Sequence, residues 1–496
     1  MSTNARAGSD LRETVRIALA LVLCAYGVAL IYLSIHPPIT FTIGSATLKA
    51  GGFKSTPRIF LALWALHALA RRRSGREILP LSSRREKAGS LLSLFGLVFA
   101  VYIGNNIVMG SGDTKSAQLL SVSLFRHGGI DFDWVVPLLK QRPYWLKVID
   151  GHYLSAFPLG TGFLVLPVQA LAALISPDYG ELAYMQKLEK VSAGLLAALT
   201  VTVCFCFLLR LTDKRRALFL TLLLAFGTNL WVTASQTLWQ HGGACLCLVI
   251  ALYLLARAEE DPRAIRFIGI PMVLAVFCRP LGALWIAPAV VWILLRHPRH
   301  IAWLILFALP LAAAAAALHL NVYHSLLGPY ASHGSGKSWR TPLAEGLAGN
   351  LFSPARGIFV FTPVVFFSLA GLAAGLRTPR LRPLMIVAGV SVAAHLVVIS
   401  RFSHWWGGHC YGPRFMTEVM PFLLLLILPL LPRLESSRAW KTVFALAIAW
   451  SVYTQAAGVY SQRATEWCRT WDIDAHPEHL WSWSHPHWLA WAQESR

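Results

Sequence analysis

Long apolar runs recur along almost the whole chain, separated by short polar segments. A transmembrane helix needs about 20 mostly apolar residues. Runs of or near that length fall at 15–35, 57–70, 88–109, 187–209, 217–235, 240–256, 265–278, 281–295, 301–320, 356–376, 383–400, 414–432 and 441–459. The pattern predicts an all-α polytopic membrane protein with about thirteen transmembrane helices. A further apolar stretch, 153–175, is interrupted by Pro158, Gly160, Gly162 and Pro167. Proline and glycine break a regular span, so this stretch is expected to lie as interfacial helices in a loop.

Charge placement gives the expected orientation. The net charge of +21 is carried by clusters in short loops, among them Arg71, Arg72, Arg73, Arg76, Arg84, Arg85 and Lys87, then Lys214, Arg215 and Arg216, and later Arg377, Arg380 and Arg382. Short loops rich in Lys and Arg stay on the cytoplasmic side. With the N-terminus inside and stretch 153–175 not crossing, every such cluster falls on one side, so the charge reads as topology and not as nucleic-acid binding. Residues 1–460 then form the membrane domain. Two large external loops span 110–186 and 321–355, and an external Trp-rich tail spans 461–496. The polar N-terminus lacks a small-residue cleavage site, so 15–35 reads as a retained helix.

The external segments hold the candidate chemistry. Asp113, in Gly-Ser-Gly-Asp-Thr just after the third span, is a candidate general base; it also reads as the N-cap of a short helix. Asp131 and Asp133 are reserve acids in what looks like an extended loop. Arg279, Arg356 and Arg414 fall at the outer ends of spans, where positive-inside statistics do not explain them. Ionisable groups at membrane depth are costly and mark ligand paths or pairs, and planar guanidinium groups suit phosphate oxygens. Arg414 and Glu418, four apart, also read as a local helical pair.

Lys337 and Arg340 in a Gly/Ser-rich loop are further anion candidates, though Gly-Ser-Gly-Lys-Ser lacks phosphate-loop spacing. Gln236, His241, Trp405, Trp406, His409 and Tyr411 form a polar and aromatic set suited to stacking on a sugar ring. No histidine pair sits at a helical metal-ligand spacing with a carboxylate, so no metal site is assigned and a divalent metal is left open. In the tail, Trp467, Trp471, Trp481, Trp483, Trp488 and Trp491 read first as an interfacial anchor and second as a sugar-stacking surface. Cys410 and Cys468, both external, are read as two thiols, with a disulfide as the alternative.

The string Leu351-Phe-Ser-Pro-Ala-Arg-Gly-Ile-Phe-Val-Phe-Thr-Pro363, the later Trp405-Trp-Gly-Gly-His-Cys-Tyr-Gly-Pro-Arg414 and the external Asp113-Thr114 resemble bacterial GT-C superfamily glycosyltransferases, in the branch similar to protein O-mannosyltransferases and aminoarabinose transferases. The resemblance covers roughly residues 90–490. It implies an inverting enzyme of the bacterial inner membrane that takes a sugar from a polyprenyl phosphate on the periplasmic face, with a glycan, lipid or protein as acceptor. It also implies an essential acid in the first external loop, a position that Asp113 occupies. The chain departs from that pattern in carrying one Asp, followed by Thr114 and Lys115, where an acidic pair is usual, and in having two spans ahead of that loop's helix. Two other classes remain open from the residues alone: a transporter or flippase of a lipid-linked or anionic solute, and an O-antigen ligase or polymerase using a diphosphate donor.

Overall fold

The computed structural model describes residues 18–492, apart from 19–21, 24–25, 28, 31, 33, 37–38, 44–45, 51, 74–76, 106 and 331–338; for 39–50 and 52–54 it describes the backbone alone. The chain is 75% helical, with two short hairpins as its strands among the described residues. Two compact units emerge, Met1–Val108 and Met109–Arg496.

In the first unit, described positions between 18 and 35 are helical. Strands β1 (Ile39–Ile43) and β2 (Ala46–Ala50) pair antiparallel, with Ile43 opposite Ala46. Helix α1 (Gly52–Arg73) ends on Arg71, Arg72 and Arg73, and α2 (Arg84–Ile103) begins at an N-cap where the Ser83 side chain accepts from the N–H of Glu86. Basic residues at a helix C-terminus and a serine cap at an N-terminus are what those ends favour. Gly96 faces Phe60, whose ring fills the space a side chain would take, and the Trp64 indole donates to Ser93 at 2.6 Å.

The second unit begins with α3 (Gly112–Val122). Strands β3 (Leu146–Ile149) and β4 (His152–Ser155) follow, joined by Asp150-Gly151, both at positive φ. Two such residues make the turn whose twist matches a hairpin. Helix α4 (Gly160–Ile175) comes next, so the stretch expected as interfacial helices is half of a hairpin followed by one continuous helix. Pro167 does not stop α4. Asp133, expected in an extended loop, opens a 3-10 turn, Asp133–Leu138.

The remaining helices are α5 (Leu182–Leu208), α6 (Lys214–Phe226), α7 (Gln240–Ala258), α8 (Ile265–Cys278), α9 (Ala283–Arg296), α10 (Ile301–Tyr323), α11 (Leu343–Phe352), α12 (Ile358–Phe361), α13 (Phe367–Leu376), α14 (Arg382–Arg401), α15 (Met420–Ile427), α16 (Leu431–Ser436), α17 (Arg438–Tyr460) and α18 (Gln462–Thr470). Prolines divide several of them. Pro280 separates α8 from α9, Pro363 separates α12 from α13, and Pro413, Pro421, Pro429 and Pro432 punctuate 413–436.

Among the described residues, six helical stretches are long and apolar enough to cross a membrane: Arg84–Ile103, Leu182–Leu208, Gln240–Ala258, Pro298–Tyr323, Arg382–Arg401 and Arg438–Tyr460. Their outer faces are apolar. Trp303, Ile305, Leu306 and Leu309 stand open along α10, and in the shorter apolar helices α4 and α9 Leu174 is 85% and Leu295 77% exposed. A continuous apolar exterior of this kind needs a bilayer as its solvent. The protein is a helical membrane protein.

Between helices, small residues allow close approach where no hydrophobic force distinguishes protein from lipid. A Cβ on Gly346 in α11 would overlap the Ser400 carbonyl of α14, and one on Gly371 in α13 would overlap the Leu426 carbonyl of α15. Backbone cannot yield as a side-chain tip does. Gly346→Ala is therefore expected to destabilise by about 1–3 kcal/mol, seen as a lowered thermal midpoint in detergent. Ala at Gly110, which meets nothing within 4 Å, should not.

Candidate functional site

Two chain breaks create the site. The residue before a proline is driven out of the helical region, and Arg279, ahead of Pro280, is extended at φ −155° and ψ 121°. Helix α8 ends there, and the side chain projects from its terminus. Glycines let the surrounding elements close in. Gly160 meets the Cys278 backbone, and a Cβ on Gly243 would lie 2.6 Å from Thr161 Oγ1 and 2.9 Å from Cys278 Sγ. The second break is at 412–413, where Gly412 takes φ +61° and Pro413 precedes a single 3-10 turn, Arg414–Met416. Arg414 and Glu418 thus do not lie on one continuous helix.

They do not pair with each other either. Arg414 Nη1 donates to Asp113 Oδ2 at 2.9 Å, and Tyr144 Oη donates to Asp113 Oδ1 at 2.7 Å. Asp113 sits in the first turn of α3, one position inside the helix; the cap position is Ser111, and its side chain makes no capping bond. The carboxylate is spent on the arginine and the tyrosine. Burial and the adjoining Asp113 carboxylate push the Tyr144 phenol above its usual value, so it remains a donor at neutral pH.

Glu418 instead takes Arg279, 139 residues away in sequence, whose Nη1 donates to Glu418 Oε1 at 2.5 Å. His241 Nδ1 lies 2.9 Å from the same oxygen and touches the same guanidinium nitrogen. Both guanidinium groups also rest on aromatic faces: Arg414 lies 4.0 Å from the Trp239 ring centre and 5.3 Å from that of Phe415, and Arg279 lies 5.1 Å from Phe415. Cations over aromatic rings gain from the ring quadrupole, more so when desolvated. Arg414 Nε and Glu418 Oε2 are buried with no protein partner.

Asp113, His241, Arg279 and Arg414 line one cavity of about 410 Å³, with Tyr144 and Glu418 behind its wall as their partners. Asp113, Arg279 and Arg414 contribute its charge and His241 a further polar group, with Trp239, Tyr330, Trp339 and Phe415 among its aromatic walls. Tyr330 donates to Gln240 at 2.9 Å on the same wall. The cavity is of ligand-binding size, mainly apolar with a few convergent polar groups.

The other sequence candidates go elsewhere. Arg356, 1% exposed, is far from a phosphate-binding posture, because each of its N–H donors has an acceptor inside the protein. Nε donates to Trp406 O, Nη1 to Ala355 O and His487 Nδ1, and Nη2 to Gly408 O and Cys468 Sγ. A guanidinium has five donors, and none is left for a ligand. Since arginine only donates, His487 Nδ1 accepts, and Nε2 carries the proton toward Ala464 O at 2.6 Å. Burial and then Arg356 hold His487 well below its usual pKa, in keeping with that neutral form.

Trp406 and His409 both meet Asp474, Trp405 packs on Trp481, and Tyr411 donates to Thr454 O at 2.7 Å. This set docks the tail 461–492 against 353–356 and 404–411. The indoles there are used internally. Cys410 and Cys468 are free thiols, with Cys468 Sγ 3.2 Å from Cys410 O. Gln236 accepts from Lys190 at 3.1 Å and does not line the cavity. Lys337 lies outside the described residues. No group of three His, Cys, Asp or Glu side chains with metal-holding geometry occurs among the described residues.

Sequence reasoning missed Tyr144, Tyr330 and Phe415, and placed Glu418 with the wrong partner. It also missed Glu189 and Lys190, both fully buried in α5. Glu189 Oε1 accepts the Leu238 N–H at 3.2 Å, and Lys190 holds Gln236, so the two brace the segment that presents Trp239. Charged neighbours inside an apolar run were the available signal.

Away from the cavity, His152 on β4 pairs with Asp133 at 2.7 Å. The hydrogen bond to Asp133 raises the His152 pKa. Burial opposes ionisation of Asp133, yet the Tyr153 N–H and His152 hold its carboxyl below the usual value. The histidine's contribution is complete below its unfolded value and is lost as pH rises through the raised one; the aspartate's is lost as pH falls through its lowered one. Between those limits the pair steadies the hairpin. In Asp133→Asn, the His152 titration followed by carbon-13 NMR is expected to move down, toward 6.5.

Neither a family model nor a curated protein matches the sequence.

Proposed function

We propose that the protein transfers a sugar from a polyprenyl-phosphate donor to an acceptor hydroxyl at the outer face of a bacterial plasma membrane, with about thirteen crossings and a GT-C-like arrangement. The observation that carries this reading is the placing of a carboxylate and two buried guanidinium groups in one cavity of about 410 Å³, with Arg414 bonded to Asp113. In the proposed step Asp113 takes the proton of the acceptor hydroxyl as its oxygen attacks the anomeric carbon. The bond from that carbon to the phosphate oxygen breaks, and the lipid phosphate leaves with the electron pair. Arg279 and Arg414 offset the charge that develops on it.

As it stands the site is balanced, with two acids beside two bases, so an incoming phosphate competes with Asp113 and Glu418 for guanidinium donors. Drawing Arg414 onto the phosphate frees Asp113 to act as a base. Trp239 and Tyr330 supply the flat apolar surface that a sugar ring stacks on.

The test is transfer by purified protein in proteoliposomes, with undecaprenyl-monophosphate and undecaprenyl-diphosphate sugars offered side by side. Product from the monophosphate donor supports the reading. Product from the diphosphate alone points to a ligase or polymerase, and solute or lipid flux with no covalent product points to a transporter.

A further inference from the structure

A second cavity, of about 580 Å³, lies wholly within the first unit. It is a half-open groove, with Gly89, Arg85 and Leu92 exposed at its edge, so a ligand can enter it from outside. Glycines line it, and at one of them the space is open. They are Gly27, Gly89 and Gly96, and a Cβ built on Gly89 would meet nothing within 4 Å.

Its lining is graded from one end to the other. Toward the middle of the helices the walls are Leu30, Phe60, Phe95 and Phe99, all apolar. Toward the loop joining α1 and α2 they become His67, Arg71, Arg85 and Glu86. At that mouth two arginines face one acid: Ser82 donates to the Glu86 carboxylate, which Arg71 also attracts, while Arg71 Nε donates to the Glu77 carbonyl at 2.7 Å. His67 Nδ1 is buried with no protein partner. Arg72, Arg73, Arg84 and Lys87 adjoin these residues in sequence. Positive-inside statistics account for the side of the membrane these residues take. They do not account for an apolar hollow directly beneath them.

We infer that this cavity binds an anionic phospholipid of the cytoplasmic leaflet, its phosphate between Arg71 and Arg85 and an acyl chain laid along Phe60, Phe95 and Phe99. Basic pockets between membrane helices on that side recognise acidic headgroups, and the apolar depth selects a lipid over a free phosphate. The inference is independent of sugar transfer, because no residue of the Asp113 cavity takes part.

The test is native mass spectrometry of the full chain released from nanodiscs of equimolar phosphatidylglycerol and phosphatidylcholine. Wild type is expected to retain phosphatidylglycerol over phosphatidylcholine by about tenfold or more. Arg71→Gln with Arg85→Gln should reduce that preference to about unity, since both head contacts are lost while the new amide at the half-buried position 71 keeps a donor for the Glu77 carbonyl. Gly89→Leu should fill the hollow and lower retention of both lipids. Leucine is a better helix former than glycine, so its thermal midpoint should hold or rise, which separates a plugged site from a misfolded one. Equal retention of the two lipids by wild type, unchanged retention in Gly89→Leu, or competition by glycerol phosphate as effective as by the lipid would each overturn the inference.

Discussion

Asp113→Asn is expected to lower sugar transfer by about 10²- to 10⁴-fold, the range general-base catalysis commonly supplies. The amide oxygen can accept from one of the two donors; turned to Arg414 it leaves the NH2 to donate to the Tyr144 hydroxyl oxygen, so the geometry of the cavity should survive. What disappears is the capacity to take a proton. Stability should fall by about 1–3 kcal/mol, because Arg414 loses a charged partner while keeping a neutral acceptor. Transfer kinetics and a thermal midpoint measured on the same preparation separate the two effects. A variant that keeps full activity removes Asp113 from the reaction.

The second large effect concerns folding. Glu418 is 2% exposed and is the carboxylate partner of Arg279, itself 6% exposed. Removing one member of a buried ion pair strands the other, at a cost of about 3–5 kcal/mol. Glu418→Gln should therefore lower the denaturation midpoint strongly, well beyond Asp113→Asn. Arg279→Met combined with Glu418→Gln should recover much of that loss, because no uncompensated charge remains buried. Should the single and double variants prove equally stable, the pair contributes nothing and the residues serve the ligand alone.

The sequence makes the helices legible because hydrophobic run length is a property of each segment by itself. It makes the candidate acid and two of the three arginines legible for a related reason: Asp113, Arg279 and Arg414 each stand beside a break in the apolar pattern, at Gly110-Ser-Gly, Cys-Arg-Pro and Gly-Pro-Arg. Partner choice is not local, and there the reading fails. Arg414 and Glu418 look like a helical pair until Pro413 and the short 3-10 turn take them off a common helix. Arg356 sits in a motif as suggestive as the others, yet nothing near it in sequence reveals that Trp406, Gly408, Cys468 and His487 will use up its donors. The β3–β4 hairpin was readable in principle, since Asp150-Gly151 is a strong hairpin signal; the apolar stretch around it drew the assignment toward helix.

The arrangement around Arg356 bears on the order of assembly. Its acceptors come from its own neighbourhood, from 406–408 and from 468–487, the last more than one hundred residues downstream. During synthesis this guanidinium reaches the bilayer well before those groups exist. It must stay wet at the membrane surface until the tail arrives, so residues 353–361 are expected to settle late, after the helices on either side. The tryptophan-rich segment then acts as a closing plug for a cation that has no carboxylate of its own.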